Sequence, residues 1–185
     1  MNIALTGKFR SGKDAAAAYL VERYGYTRFA FGDELKRYAN ELFNVEPGAK
    51  PRELYQWFGQ TMRRRDSDVW VRKCFGKITD EVAYHDAYGI SFRAVITDLR
   101  QPNELARCRA EGYVIIRVNC PAGVRIARAQ AAGDTFGTAT LEHETESYVD
   151  TFAVDYEVHN EGMLTELHAQ IDAIMARIGG GDSVE

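Results

Sequence analysis

The stretch Gly7-Lys-Phe-Arg-Ser-Gly-Lys-Asp14 lies where a short apolar run ends and a helical pattern begins. Ahead of it, Asn2 to Thr6 read as a buried strand. Behind it, Ala16, Ala17, Leu20 and Tyr24 recur at helical spacing, and Gly25 ends the pattern. Glycine at both ends of a strand-to-helix turn lets backbone N–H groups approach phosphate oxygens, and the helix N-terminus adds partial positive charge at the same point. Gly7, Lys8, Arg10, Ser11, Gly12, Lys13, Asp14 and Ala15 are therefore the candidates for holding a nucleotide's phosphates, with Lys13 as a movable cation for the outer ones. The pattern usually continues with a Ser or Thr whose hydroxyl binds magnesium. Here Asp14 takes that place and is the candidate metal ligand, and Ala15 offers no oxygen.

The chain as a whole narrows the ligand. At 185 residues, 45% hydrophobic and 27% charged, it can bury one core with a modest appendage, so one domain over 1–178 is expected. A net charge of −4 provides no global attraction to nucleic acid or anionic membrane, which favours a small anionic ligand over polymeric nucleic acid. Cys74, Cys108 and Cys120 are odd in number and form no CxxC pair, the usage of reduced, buried thiols in a cytoplasmic setting. No apolar run approaches the ~20 residues that span a bilayer. The amino terminus enters a strand directly instead of a signal peptide, so no membrane partner is expected.

Further along, Thr27 to Phe31 reads as a second strand, followed by Gly32-Asp33 and a helix from Glu34 to Phe43 that carries Lys36. Strand, turn, helix, strand is the opening of a parallel α/β sheet, whose ligands gather at the carboxyl ends of strands. Asp33 falls at such an end, although as a helix cap it needs no other role. Residues 44–88 form an insert of different character. Its first half is mostly helical and locally basic: Arg52, Gln56, Arg63, Arg64 and Arg65 offer planar donors, beside the aromatic Trp57 and Trp70. These residues suit a phosphate and a base edge, or else make a solvated face. A long helix from Val69 to Tyr88, expected to pack on the sheet, completes the insert.

Ser91 to Thr97 reads as the third strand, which places Asp98 at its carboxyl end and Arg100 two residues on. An acidic residue there can hold a metal's water shell or accept a hydroxyl proton. The other reading is a buried ion pair between Asp98 and Arg100. Asn103 is placed to cap the next helix, in which Glu104 is a further candidate contact. Tyr113 to Val118 is the fourth strand. In the segment 122–150, Arg125 and Arg128 lie one turn apart ahead of a Gly/Thr-rich loop from Gly133 to Thr140, a composition that fits a flap or lid whose arginines can neutralise a transferring phosphoryl group, or else a surface helix and loop. His143, Glu144 and Glu146 form no HExxH pattern, so zinc is not expected. A last strand, Tyr156 to Asn160, precedes a helix whose core face is Leu164, Leu167, Ile171, Ile174 and Ile178. The tail 179–185 reads as disordered.

Several islands together resemble one family, the deoxynucleoside monophosphate kinases of bacteriophages, within the P-loop nucleoside and nucleotide kinases. They are GKFRSGKDAAAAYL, RFAFGDELK, PRELYQWFGQTMRRRDSDVWV, ITDLRQPNELARCRAEGYVIIRV, and HETESYVD with DYEVHNEGMLTEL. GKD in place of GKS or GKT is itself a feature of that family. The resemblance implies a three-layer α/β P-loop NTPase fold with a five-stranded parallel sheet, a helical substrate-binding insert and a lid. It also implies ATP as donor, Mg2+ as counterion and a deoxynucleoside 5′-monophosphate as acceptor. On that basis Lys13, Asp98, Arg100, Arg125 and Arg128 are the expected catalytic residues. The acceptor falls to Asp33, Lys36, Arg52, Gln56, Trp57, Arg63, Trp70, Arg100 and Glu104. The same scaffold could instead phosphorylate dephospho-coenzyme A or a hydroxymethylated base in phage DNA, or bind a nucleotide without turnover. No Asn-Lys-x-Asp motif of guanine switches occurs. A homodimer is left open by the sequence.

Overall fold

A computed structural model describes residues 1–49, 51–133 and 148–179. The flap expected over 133–140 beyond Gly133, the residues His143, Glu144 and Glu146, and the tail beyond Gly179 lie outside them. The chain forms two compact units, one of 1–28 with 93–185 and one of 29–92.

The first unit is built on apolar runs too short and too rich in Val and Ile to be helices. They give β1 (Ile3–Thr6), β3 (Ala94–Leu99), β4 (Val114–Asn119) and β5 (Tyr156–His159), with β2 (Thr27–Phe29) at the edge. Together they make a five-stranded parallel sheet in the order β2-β3-β1-β4-β5. All four residues of β1 are buried, as expected of a central parallel strand covered on both faces. The helices α1 (Lys13–Tyr24), α5 (Pro102–Ala110), α6 (Ala122–Ala131) and α7 (Leu164–Gly179) belong to the same unit. Its core joins Ile3, Leu5, Ile116, Val118 and Val158 of the sheet to Leu20 of α1 and Leu167 and Ile171 of α7, each worth about 1.5–3 kcal/mol of burial. Leu164, expected on the core face of α7, is 55% exposed; it is the first residue of the helix, and Met175 completes the buried face instead. On α7, Asp172 accepts hydrogen bonds from the Tyr19 hydroxyl (2.8 Å) and the Tyr24 hydroxyl (2.7 Å), which pins α7 to α1.

Because β3 and β4 flank β1, the chain leaves β1 at the point where the strand order reverses, and that is where a crevice opens in such sheets. The third strand departs from the expected one in its limits, and its pairing with β1 is irregular. It runs to Leu99, so Asp98 lies within it. Ala4 pairs with Ile96 but Thr6 with Leu99, so one extra residue is accommodated on β3 opposite Leu5. An irregularity of this kind re-aims side chains and recurs next to active sites. Thr6 Oγ1 donates to the Leu99 carbonyl at 2.9 Å and holds the strand ends together beyond it. Asp98 is only partly buried in a strand whose other residues are buried.

The second unit holds α2 (Phe31–Leu42), α3 (Arg52–Arg65) and α4 (Val69–Ala87). The α2 helix starts three residues earlier than expected, with extended Ala30 as its cap. Asp33 is consequently a first-turn residue and not a cap, though its charge still complements the helix N-terminus. Leu35, Ala39, Phe58 and Trp70 form the core of this unit, with Tyr38, Tyr55 and Met62 packed on it. The partners of α4 within its unit are α2 and α3.

Candidate active site

The loop from Gly7 to Gly12 is a tight turn. Gly7 has φ +142° and Gly12 φ +102°, and Arg10 between them has φ +60°. A Cβ on Gly7 would stand 2.5 Å from the Val118 carbonyl oxygen, so the loop lies directly against β4. Ser11 N–H donates to the Lys8 carbonyl at 3.1 Å and closes the turn. The Ser11 hydroxyl is buried with no hydrogen-bond partner. Lys13 opens α1 and is 7% exposed. Its Nζ donates to the carbonyls of Gly7 (2.5 Å) and Lys8 (2.8 Å), so the ammonium is held inside the curve of the loop. Asp14 follows, exposed on the first turn of α1.

Of two arginines of α6, Arg125 braces this loop directly and Arg128 reaches it through Asn160. Arg125, 8% exposed, donates from Nε to the Cys120 carbonyl (3.2 Å) and from Nη1 to the Phe9 carbonyl (3.2 Å). Arg128 donates to Cys120 Sγ (3.4 Å) and to the Asn160 side-chain oxygen (3.3 Å). Lys8 pairs with Asp150 at 2.5 Å. Between these groups lies a cavity of about 280 Å³, lined by Gly7, Lys8, Arg117, Asn119, Arg125 and Asp150 among others. Burial raises the Cys120 thiol's pKa, with Arg128 and Arg125 opposing that shift. Cys120 is therefore an acceptor for Arg128 more than a nucleophile. Cys74, Cys108 and Cys120 are all free thiols.

On the other side of β1, Asp98 and Arg100 stand at the carboxyl end of β3, adjacent to the strand that feeds the loop. Glu104 does something different from what its position suggested. It is 2% exposed, and its Oε2 accepts from the N–H groups of Arg100 (2.8 Å) and Gln101 (2.9 Å). That makes it the N3 partner of a capping box with Gln101 as the cap, a place the sequence reading assigned to Asn103. Glu104→Ala should cost about 2–4 kcal/mol by stranding two amides, seen as a Tm lower by about 5–12 °C. Glu104→Gln, which keeps an acceptor oxygen, should lose less.

The remaining acceptor candidates belong to the second unit. Lys36, Arg52, Gln56 and Trp57 are exposed on α2 and α3, with Trp57 at 56%. Asp33 and Arg63 are partly buried, and the Arg63 guanidinium lies close over Gly59. Trp70, expected to face a base, is instead a core residue at 2% exposure, and its indole N–H donates to the Gly59 carbonyl at 3.3 Å. Asn160 and Asp150 were missed as site residues. Asn160 stands directly after β5, where the rule about strand carboxyl ends that picked out Asp98 points equally to it.

No family model matches the chain. A curated relative from Acanthamoeba polyphaga mimivirus, named "Putative deoxynucleotide monophosphate kinase", is 26% identical over 192 residues, covering 91% of this chain and 93% of that protein. Among solved structures, shikimate kinase from Acinetobacter baumannii superposes with a TM-score of 0.57 at 12% identity, over 99% of this chain and 95% of that one. Dephospho-CoA kinase from Campylobacter jejuni gives 0.56 at 11% identity, over 98% of each. The fold is therefore the α/β fold of the P-loop kinases. Among the described residues no helix is long and apolar enough to cross a membrane.

Proposed function

We propose that the chain transfers the γ-phosphoryl group of ATP to the 5′-phosphate of a deoxynucleoside monophosphate, yielding ADP and the diphosphate. The observation that carries this reading is the loop itself: two glycines at positive φ and a buried lysine ammonium, at the sheet's switch point. The name of the mimivirus relative and the resemblance of the sequence islands to phage kinases favour this acceptor. A cytoplasmic setting agrees with the three free cysteines.

In the reaction an oxygen of the acceptor's phosphate attacks the γ-phosphorus in line, and the bond from that phosphorus to the β,γ-bridging oxygen breaks. The electron pair leaves with ADP. Such a transfer needs positioning and charge neutralisation more than covalent help. Loop amides and Lys13 are assigned to the β- and γ-phosphates, with Ser11's unpartnered hydroxyl as a further donor at the loop. Arg125, which holds the Phe9 carbonyl, and Arg128 beside Asn160 are assigned to charge that develops on the transferring group. Arg52, Arg63 and Arg100 are assigned to the acceptor's phosphate, and Gln56 and Trp57 to its base. Asp33 and Lys36 complete the assignment on the acceptor side.

The donor set fits a magnesium ion carried in with the nucleotide. Mg2+ is commonly held by one or two carboxylates plus substrate phosphates, and Asp14 and Asp98 are the carboxylates on offer. No group of three or more metal-binding side chains occurs among the described residues. Asp14 and Asp98 would hold it there, and the chemistry it would supply is an offset to the charge of the phosphates.

The test is ADP release from ATP against a panel of deoxynucleoside monophosphates, dephospho-coenzyme A and hydroxymethylated oligonucleotides. Turnover with at least one deoxynucleotide is expected. Failure on all of them with transfer to another acceptor overturns the assignment, and ATP binding without any turnover points to a non-catalytic module. Arg100→Ala should raise the acceptor's KM or lower kcat by about 10–100-fold, the loss of one charge-assisted contact. ATP affinity should stay within about twofold, and unchanged steady-state kinetics would remove Arg100 from the site.

A further inference from the structure

Asn160 is 3% exposed, and every polar atom of its carboxamide is engaged. Its Nδ2 donates to the Ser11 carbonyl at 2.9 Å. Its Oδ1 accepts from Arg128 Nη2 at 3.3 Å. Its backbone N–H donates to the Asn119 carbonyl at 2.9 Å and so extends the β4–β5 pairing by one step. The approach to the loop is so close that a Cβ on Gly12 would fall 1.9 Å from Nδ2. One side chain at the end of β5 thus touches both the phosphate-cradle candidate and an arginine of α6.

A planar trans peptide points its C=O and N–H in opposite directions. Holding the Ser11 carbonyl therefore fixes the direction of the Gly12 N–H, which faces away from Asn160. Gly12, at φ +102°, has no side chain of its own to limit that rotation. The same carboxamide offers Arg128 an acceptor, which removes rotamer freedom from a long side chain before any ligand arrives. Only a carboxamide of this length presents a donor to one partner and an acceptor to the other. Asp would set an anionic oxygen against the Ser11 carbonyl while keeping Arg128, and Ala would release both.

We propose that Asn160 is a positioning residue that sets the Ser11–Gly12 peptide and the Arg128 guanidinium in register, so that loop amide and arginine meet the nucleotide's phosphates together. The inference rests on the reading of Gly7–Asp14 as the nucleotide cradle. Its two halves separate by experiment. ATP affinity is measured by calorimetry without acceptor, alongside kcat and KM for ATP and thermal melts of each variant. Asn160→Asp is expected to weaken ATP binding about tenfold, with kcat lowered less than threefold because Arg128 keeps its partner. Asn160→Ala is expected to show the same loss of affinity and, in addition, a kcat lower by tenfold or more.

A purely structural role would lower Tm in both variants without this split. Folded variants that bind ATP within twofold of the wild type, or a kcat equal in the two, overturn the proposal. A wild-type protein that binds no ATP overturns the cradle reading and this inference with it. Nitrogen-15 spectra of the wild type give a second readout that does not depend on any variant folding. The Asn160 side-chain amide should exchange slowly with solvent and shift on addition of ATP. Solvent-like exchange with no shift contradicts the role.

Discussion

Lys13→Ala should lower phosphoryl transfer by about 10²–10³-fold, the loss found when one preorganised donor to transition-state charge is removed. The ammonium is 7% exposed and donates to the Gly7 and Lys8 carbonyls at 2.5 and 2.8 Å. It therefore sits at the centre of the loop's curve with its charge already partly desolvated, where it acts more strongly than in water. Phosphate oxygens are better acceptors for a cation than neutral carbonyls, so binding of a triphosphate should draw Nζ off the carbonyls. Arginine is a poor substitute, since its planar fork is bulkier and cannot act as a point charge inside so narrow a turn. Lys13→Arg should recover less than a tenth of the activity. The check is kcat/KM for ATP together with a melt: activity within threefold of wild type in a folded Lys13→Ala protein would remove the lysine from the chemistry.

Gly12→Ala should destabilise the first unit strongly. Two costs coincide there. The backbone φ of +102° is one that an L side chain rarely adopts, worth about 1–3 kcal/mol. The new Cβ would also stand 1.9 Å from Asn160 Nδ2, and overpacking of a filled site costs about 1–3 kcal/mol. Against a total stability of roughly 5–15 kcal/mol this is a large fraction, and a Tm lower by about 5–15 °C is expected. Because the clash is with one side chain, Asn160→Ala in the same protein should return part of the loss, a coupling that distant sites do not show. A Tm within 2 °C of wild type for Gly12→Ala would mean that the loop does not hold this conformation in solution.

Much of the fold was legible because its signals are local. The strand at Ile3–Thr6, the helix after it, the glycine turn between them and the order of later strands all follow from short apolar runs, helical spacing and Gly stops. What was misread depends on neighbours far along the chain. Asp98 was placed beyond its strand because the irregularity opposite Leu5 depends on pairing with β1, far away in sequence, and propensity cannot report that. Glu104 was read as a candidate substrate contact, yet its acceptor role is fixed by the amides of Arg100 and Gln101.

Trp70 illustrates the opposite error. A tryptophan after an arginine run invites a stacking role, whereas its partners Leu35, Ala39 and Phe58 come from two other helices and make it core. Asn160 left only its position as a trace, since one asparagine after a strand is ordinary until the carbonyl of Ser11 and the guanidinium of Arg128 are seen on either side of it. Charge and composition, for their part, spoke to the kind of ligand and not to its identity.

The most direct measurement is a crystal structure of the protein with a non-hydrolysable ATP analogue and magnesium. The expected result places the β-phosphate against the backbone N–H groups between Gly7 and Lys13. It also places the Lys13 ammonium on phosphate oxygens and off the carbonyls of Gly7 and Lys8. A saturating nucleotide bound elsewhere, with the loop empty and Lys13 still on those two carbonyls, would contradict the account.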